Sequence, residues 1–114
     1  MHELGIAASI LECVQTQAER HPEGQITKVG VRIGELSGVD SDALQFGFEM
    51  LVKDTQWESV TLELEFLPRM QRCPKCNYEF RMTEIDPRCP LCGEFQTECI
   101  SGDQLDIVYM EVSE

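Results

Sequence analysis

The sequence predicts an α+β fold in which two helices pack on a small three-stranded sheet, with a second lobe inserted between two of the strands. Two stretches with helical spacing of apolar residues and three with strand-like patterning predict the first lobe. A segment from about Met70 to Gly102 has little periodicity but carries four cysteines, and this segment predicts the insertion. With 114 residues, the chain suffices for one ordinary domain or a small core with an appendage.

The first helix is predicted from Glu3 to Arg20, where apolar residues recur at intervals of three and four. The residues that line this predicted face are Leu4, Ala7, Ala8, Leu11, Val14 and Ala18. Proline and glycine within residues 21–24 end the helix. A half-buried strand follows, because Val29, Val31 and Ile33 alternate with small or charged residues.

A second helix and a second strand follow a turn-rich connection. Asp40 or Ser41 is placed to cap a helix that runs from Ala43 to about Val52. Residues 60–66 then alternate between apolar and polar types, which predicts a strand with one buried face.

The last strand, residues 105–112, differs because apolar residues fall on both of its sides. These residues are Leu105, Ile107, Val108, Tyr109, Met110 and Val112. A strand that is buried on both faces is usually central in its sheet. We therefore expect this strand to return to the middle of the first sheet. The predicted lobes are then residues 1–69 with 103–114, and residues 70–102.

Charge narrows the classes of partner. The chain has 21 acidic and 9 basic residues and a formal net charge of −12, which repels nucleic acid phosphates and anionic membranes. Residues 70–102 contain four basic and five acidic residues, a net charge of −1, so the acidity is concentrated in the helix-and-strand lobe. We expect a cation or a basic protein surface as partner, and neither nucleic acid nor membrane.

The cellular compartment decides how the cysteines are interpreted. No basic residue precedes the apolar stretch from Leu4 to Leu11, and no apolar run approaches the ~18 residues of a membrane helix. We therefore expect a cytoplasmic protein, whose thiols stay reduced. Six cysteines in that compartment indicate metal binding before disulfides.

Four of the cysteines form two pairs with the spacing of a zinc site: Cys73, Cys76, Cys89 and Cys92. Two such turns can present four sulfurs tetrahedrally at ~2.3 Å from Zn(II), which predicts a zinc-ribbon-like lobe with two C-x2-C knuckles. Four protein ligands leave no open position for water, so the predicted zinc is structural and a zinc hydrolase is excluded. A redox role for the two cysteine pairs is less well supported than zinc binding, because neither pair opens a helix in a thioredoxin-like pattern.

The two remaining cysteines lie outside this spacing. Cys13 is interpreted as a small buried hydrophobe within the first helix. Cys99 follows the second pair and is assigned only to local packing.

The terminus Met1-His2-Glu3 offers a second metal site. The amine of Met1 and the backbone nitrogen and imidazole of His2 can close fused chelate rings, and the backbone nitrogen of Glu3 or an added ligand can complete the plane. Such nitrogen-rich coordination suits Ni(II) or Cu(II), and its affinity should fall as pH drops toward the ordinary histidine pKa of about 6.5. Alternatively, His2 belongs to a frayed terminus and Glu3 only favours the positive end of the helix.

Several motifs together resemble one family. Met1-His2-Glu3-Leu4 opens an amphipathic helix, Ile33-Gly34-Glu35-Leu36 ends a strand, and the two cysteine pairs follow in order as Cys-Pro-x-Cys. In this combination the whole chain resembles the HypA/HybF family of hydrogenase nickel-incorporation metallochaperones.

The resemblance implies a protein, not an enzyme, that delivers Ni(II) during maturation of [NiFe]-hydrogenase. It implies nickel on Met1, His2 and Glu3, and structural zinc on the four paired cysteines. The implied partners are a GTPase nickel-maturation protein and the hydrogenase large subunit, with urease maturation proteins for some members. The alternative from the residues alone is a zinc-ribbon protein–protein adaptor that transports no metal.

Overall fold

The computed structural model describes residues 3–82 and 86–114 and contains two α-helices and six strands in that part of the chain. Their order is α1 (Glu3–Arg20), β1 (Gln25–Gly34), α2 (Ser41–Val52), β2 (Thr61–Leu67), β3 (Met70–Arg72), β4 (Glu79–Arg81), β5 (Glu98–Ser101) and β6 (Leu105–Ser113). Both predicted helices are confirmed to within two residues. None of the helices in the described ranges is long and apolar enough to span a membrane.

The predicted three-stranded sheet is confirmed, with the strand order β2-β1-β6. Strands β1 and β2 are parallel, and α2 lies in the connection between them, as parallel neighbours require a crossover. Strand β6 pairs with the other side of β1 and is antiparallel to it. The C-terminal strand therefore returns to the first sheet, as the sequence predicts.

The predicted position of β6 within that sheet is wrong. The central strand is β1, most of whose residues are buried, whereas β6 lies at the edge and is mostly half-buried or exposed. A β-bulge explains the misleading pattern, because Val108 has no partner on β1 between the pairs Gly30–Tyr109 and Val31–Ile107. The apolar residues on both sides of β6 therefore reflect an edge with exposed apolar groups and not double burial.

The core lies between the two helices and one face of the first sheet. It contains Ala7, Ile10, Val14, Ile26, Val29, Val31, Ile33, Leu44, Phe48, Val52, Val60 and Leu62. The buried stripe of α1 is rotated from the predicted face, because Ile10 is buried while Leu4 and Ala8 are exposed. The side chain of Asp40 caps α2 by accepting hydrogen bonds from the backbone N–H groups of Asp42 and Ala43, so the predicted cap is confirmed.

The inserted segment forms a second three-stranded sheet with the order β4-β3-β5. Its strands have only three or four residues each, which is why periodicity does not reveal them in the sequence. The chain passes between the two sheets twice, once between β2 and β3 and once between β5 and β6. The assignment of separate roles to residues 1–69 with 103–114, and to residues 70–102, stays a prediction.

Candidate metal centre

The two cysteine pairs form turns with nearly the same backbone geometry. In the first, the N–H of Cys73 donates to the carbonyl of Tyr78, and the N–H of Asn77 donates back to the carbonyl of Cys73 at 2.8 Å. In the second, the N–H of Cys89 donates to Glu94, and the N–H of Gly93 donates to Cys89 at 2.9 Å.

Each turn closes with a residue in the left-handed region. Asn77 has a φ of 65° and Gly93 a φ of 79°. Glycine and asparagine are the residues that adopt this conformation most readily, so the sequence after each pair favours the turn. The two turns face each other and bring their four cysteines to one point.

The four sulfur atoms of Cys73, Cys76, Cys89 and Cys92 all lie within 4.8 Å of one another. Between the two pairs, the sulfurs of Cys73 and Cys92 are 3.5 Å apart and those of Cys76 and Cys89 are 3.6 Å apart. A tetrahedron with Zn–S bonds of ~2.3 Å has edges of about 3.8 Å, so the sulfurs are spaced as zinc requires. The cluster fits a structural zinc site with a closed shell.

Hydrogen bonding and crowding make the four thiols unequal. Desolvation opposes ionisation of Cys89, but the backbone N–H groups of Cys92 and Leu91 bond its sulfur and bring its pKa down to about 7. A backbone hydrogen bond at Tyr78 favours the thiolate of Cys76, yet desolvation and the other three cysteines raise its pKa to about 12. Four thiolates this close repel one another, so a bound cation is what permits all four to ionise.

A buried polar contact supports the sheet beside the cysteines. Gln71 of β3 is 2% exposed, and its amide nitrogen donates to the hydroxyl of Thr97 at 3.0 Å. That hydroxyl in turn donates to the carbonyl of Pro87 at 2.6 Å. The contact ties β3 to the chain before the second pair, and it is a link that sequence reasoning did not find.

The Gly34-Glu35 motif lies where the chain passes between the two sheets. A Cβ atom on Gly34 would lie 2.2 Å from the carbonyl oxygen of Gly102, so only glycine allows this approach. The carboxylate of Glu35 accepts the backbone N–H of Arg69 at 2.8 Å, and the N–H of Leu36 donates to the carbonyl of Gly102 at 2.7 Å. One turn thus holds both crossings of the chain, which the motif alone did not indicate.

The predicted nickel residues are only partly within the described structure. Met1 and His2 lie outside the described residues. Glu3 is the first residue of α1 and is half-buried. The terminal chelate therefore stays a prediction.

The two remaining cysteines lie apart from the metal cluster. Cys13 is exposed, so its interpretation as a buried hydrophobe is wrong. It lies on the flank of α1 that faces β6 across a groove. Cys99 is also exposed, and its sulfur donates to the carbonyl of Ser101 at 3.3 Å.

Comparison with solved structures supports the fold. The solution structure of the Ni metallochaperone HypA from Helicobacter pylori matches with a TM-score of 0.64 and 21% identity, over 99% of this chain and 98% of that one. A second solution structure of a HypA protein matches with a TM-score of 0.70 and 20% identity, over 97% of this chain and 95% of that one.

Sequence comparison shows the family. A hydrogenase maturation factor HypA from Geotalea uraniireducens is 37% identical over 98% of this chain and 99% of its own length. Another hydrogenase maturation factor HypA, from Crocosphaera subtropica, is 35% identical over 100% of this chain and 97% of its own length. The family model for hydrogenase/urease nickel incorporation, metallochaperone, hypA, matches residues 1–112. By this match over nearly its full length, the chain belongs to the HypA family of nickel-incorporation metallochaperones.

Proposed function

We propose that this chain binds Ni(II) at Met1, His2 and Glu3 and delivers it for the maturation of [NiFe]-hydrogenase. The observation that carries the proposal is the family match over residues 1–112, which includes the terminal motif as well as both cysteine pairs. The role is metal delivery and protein interaction, without a catalytic step.

The position of Glu3 supports a nickel site at this end. Helix α1 begins at Glu3, so Met1 and His2 come directly before the helix in the sequence. The positive end of the helix dipole disfavours a cation, and the carboxylate of Glu3 in the first turn offsets that effect. An ion on such a terminus has few side-chain ligands to lose when it is passed on. This arrangement favours delivery over storage.

The sulfur cluster supports a separate role for zinc. Its four sulfurs are spaced for one tetrahedral ion, and such a shell is complete without further ligands. The proposed division of labour follows: residues 1–69 with 103–114 carry nickel, and residues 70–102 are stabilised by zinc.

The proposed partners follow from delivery. Nickel has to reach the hydrogenase large subunit, and a GTPase nickel-maturation protein is the partner that the family implies, with urease maturation proteins as a further possibility. We place the protein in the cytoplasm, where the cysteine ligands stay reduced. We assign it no nucleic acid and no membrane surface, since a net charge of −12 repels both.

A nickel titration tests the terminal site. We would titrate Ni(II) into zinc-loaded protein with a native terminus, into His2→Ala, and into a version extended by one residue before Met1. Loss of a direct ligand costs more than the roughly 10–100-fold typical of an outer partner, so both changes should weaken nickel binding at least tenfold.

Zinc content is the control in this experiment and should be the same in all three proteins. Equal nickel binding by all three would overturn the terminal site. Absence of nickel binding by the native protein would instead favour the adaptor without a transported metal.

A further inference from the structure

A continuous groove runs between α1 and the edge strand β6. Three adjoining hollows of about 540, 440 and 320 Å³ follow one another along it. Ile107 lines all three, while Cys13 is shared by the first two and Met110 by the last two. Residues of α1 from Ile6 to Gln17, with His21 just beyond the end of the helix, form the other wall, so the groove follows α1 for about 16 Å at the helical rise of 1.5 Å per residue.

The dimensions of the fold explain why the groove exists. Two packed helices lie 8–10 Å apart and together cover about 20 Å. Three strands spaced at about 4.8 Å cover only about 14 Å. Helix α1 therefore overhangs β6 by roughly the width of one strand, and the apolar side chains below it stay half-buried.

The backbone of β6 is open on the same side. The strand pairs with β1 on one edge, and no strand within residues 3–82 and 86–114 pairs with its other edge. The bulge at Val108 interrupts β6, and residues 109–113 are the longer stretch of β6 that contains no extra residue; the second irregularity of this pair is the extra Thr27 on β1, opposite Glu111 and Val112. Free N–H and C=O groups beside an apolar groove are the features that bind an added strand.

Charge selects the kind of strand that can be added. Glu12 and Asp106 line the groove and Glu111 lies on β6, and within the described part of the chain none of the three forms a salt bridge. Of the residues that the structure describes, no lysine or arginine lines the three hollows.

The opposite edge strand, β2, is different. Its Glu63 and Glu65 are already paired with Lys28 and Arg32 of β1. In the sheet register Asp106 lies opposite Arg32 and Glu111 opposite Lys28, but those two basic side chains form their salt bridges with Glu65 and Glu63. Among the described residues, a basic segment therefore finds acidic groups without a salt bridge at β6 and salt-bridged ones at β2.

We propose that the edge of β6 and the groove beside α1 bind an extended basic segment of a partner protein as a fourth strand. Apolar side chains at alternate positions would fill the groove, and Lys or Arg between them would meet the acidic groups. A second copy of this chain is disfavoured, because each copy carries a net charge of −12 and would bring its own Asp106 and Glu111 to the contact. The proposal does not rest on nickel binding.

The probe is a nine-residue peptide with capped ends in which Val and Lys alternate. Added to the zinc-loaded full chain, it should shift backbone amide NMR signals of residues 109–113 and of the groove wall of α1, with affinity that falls as salt rises. A peptide with Glu in place of Lys, and one with Pro in place of the central Val, should bind at least tenfold more weakly. Equal binding of all three peptides, or larger shifts in β2 than in β6, would overturn the proposal.

Two matched variants test the groove itself. Cys13→Phe places a ring in the groove from an exposed helical position, and it should weaken the lysine peptide at least tenfold. Gln15→Phe makes the same kind of change on the other flank of α1 and should leave the affinity unchanged.

Equal affinities of the two variants for the lysine peptide would contradict the proposal. If either variant fails to fold, the NMR signals that the peptide shifts in the unchanged protein still test the proposal. If the unchanged chain self-associates and Cys13→Phe abolishes that self-association, the groove binds a second copy of the chain. That result would also overturn the proposal.

Discussion

Gly34 and Glu35 show how two residues can control the position of a whole sheet. Gly34 permits contact with the backbone of Gly102, and Glu35 holds the N–H of Arg69. Gly102 has a φ of 108°, and a Cβ there would lie 2.5 Å from the Cα of Arg69. The path of the chain at both crossings thus depends on positions where a side chain has no room.

Replacing Gly34 by alanine should destabilise the protein. The new Cβ would collide with backbone atoms of Gly102, which cannot rotate away, so we expect a loss of about 1–3 kcal/mol in the free energy of unfolding. Gly47→Ala in α2 is the matched control, because its Cβ would make ordinary contacts at 3.7 Å or more with Leu4 and Ala7 of α1.

The control should gain about 0.5–1 kcal/mol from helix propensity. Urea unfolding followed by the fluorescence of Trp57 measures both variants. A Gly34→Ala protein as stable as the unchanged chain would show that this close approach does not matter.

Sequence reasoning at the residue scale succeeds where the chemistry is local. The spacing of Cys73, Cys76, Cys89 and Cys92 predicts their convergence, because two residues between cysteines fix each turn. It fails for Cys13, because burial on a helix depends on where the sheet below it ends. The spacing of apolar residues in α1 is compatible with burial of either of two helix faces, and only packing against the sheet decides which face is buried.

At the scale of elements, the long helices and strands are predictable and the short strands are not. Strands β3, β4 and β5 have three or four residues and draw their stability from pairing and from the metal site, not from an apolar periodicity. The edge position of β6 was also out of reach, because apolar residues on both sides describe a central strand and a partner-binding edge equally well.

Removal of zinc should unfold the second sheet and leave the first sheet folded. About 30 residues cannot support a core without a metal, and zinc binding contributes roughly 10 kcal/mol or more in comparable modules. NMR spectra after chelation should lose the dispersed amide signals of residues 70–102 and keep those of β1, β2 and β6.

Cys73→Ser should reproduce the effect of chelation, whereas Cys99→Ser, at an exposed cysteine outside the cluster, should leave the spectrum unchanged. Dispersed signals from residues 70–102 after complete removal of zinc would mean that the second sheet is stable without metal.

As a whole, the molecule is elongated. Its radius of gyration is 18.0 Å and its extents are 56 × 25 × 15 Å, against about 13 Å for the radius of gyration of a compact chain of this length. The charge is divided as unevenly as the shape, because residues 70–102 carry a net charge of only −1 out of −12. A nearly neutral zinc-bearing part and an acidic part with the terminal motif are thus joined through the Gly34-Glu35 turn.

The central claim is that nickel and zinc occupy different sites in this molecule, nickel without sulfur and zinc with four sulfurs. X-ray absorption at the nickel and zinc edges of zinc-loaded protein with one equivalent of Ni(II) tests it most directly. We predict a nickel shell of nitrogen and oxygen only and a zinc shell that keeps four sulfurs when nickel is added. A cysteine sulfur bound to nickel, or a zinc site that loses sulfur as nickel binds, would contradict the account.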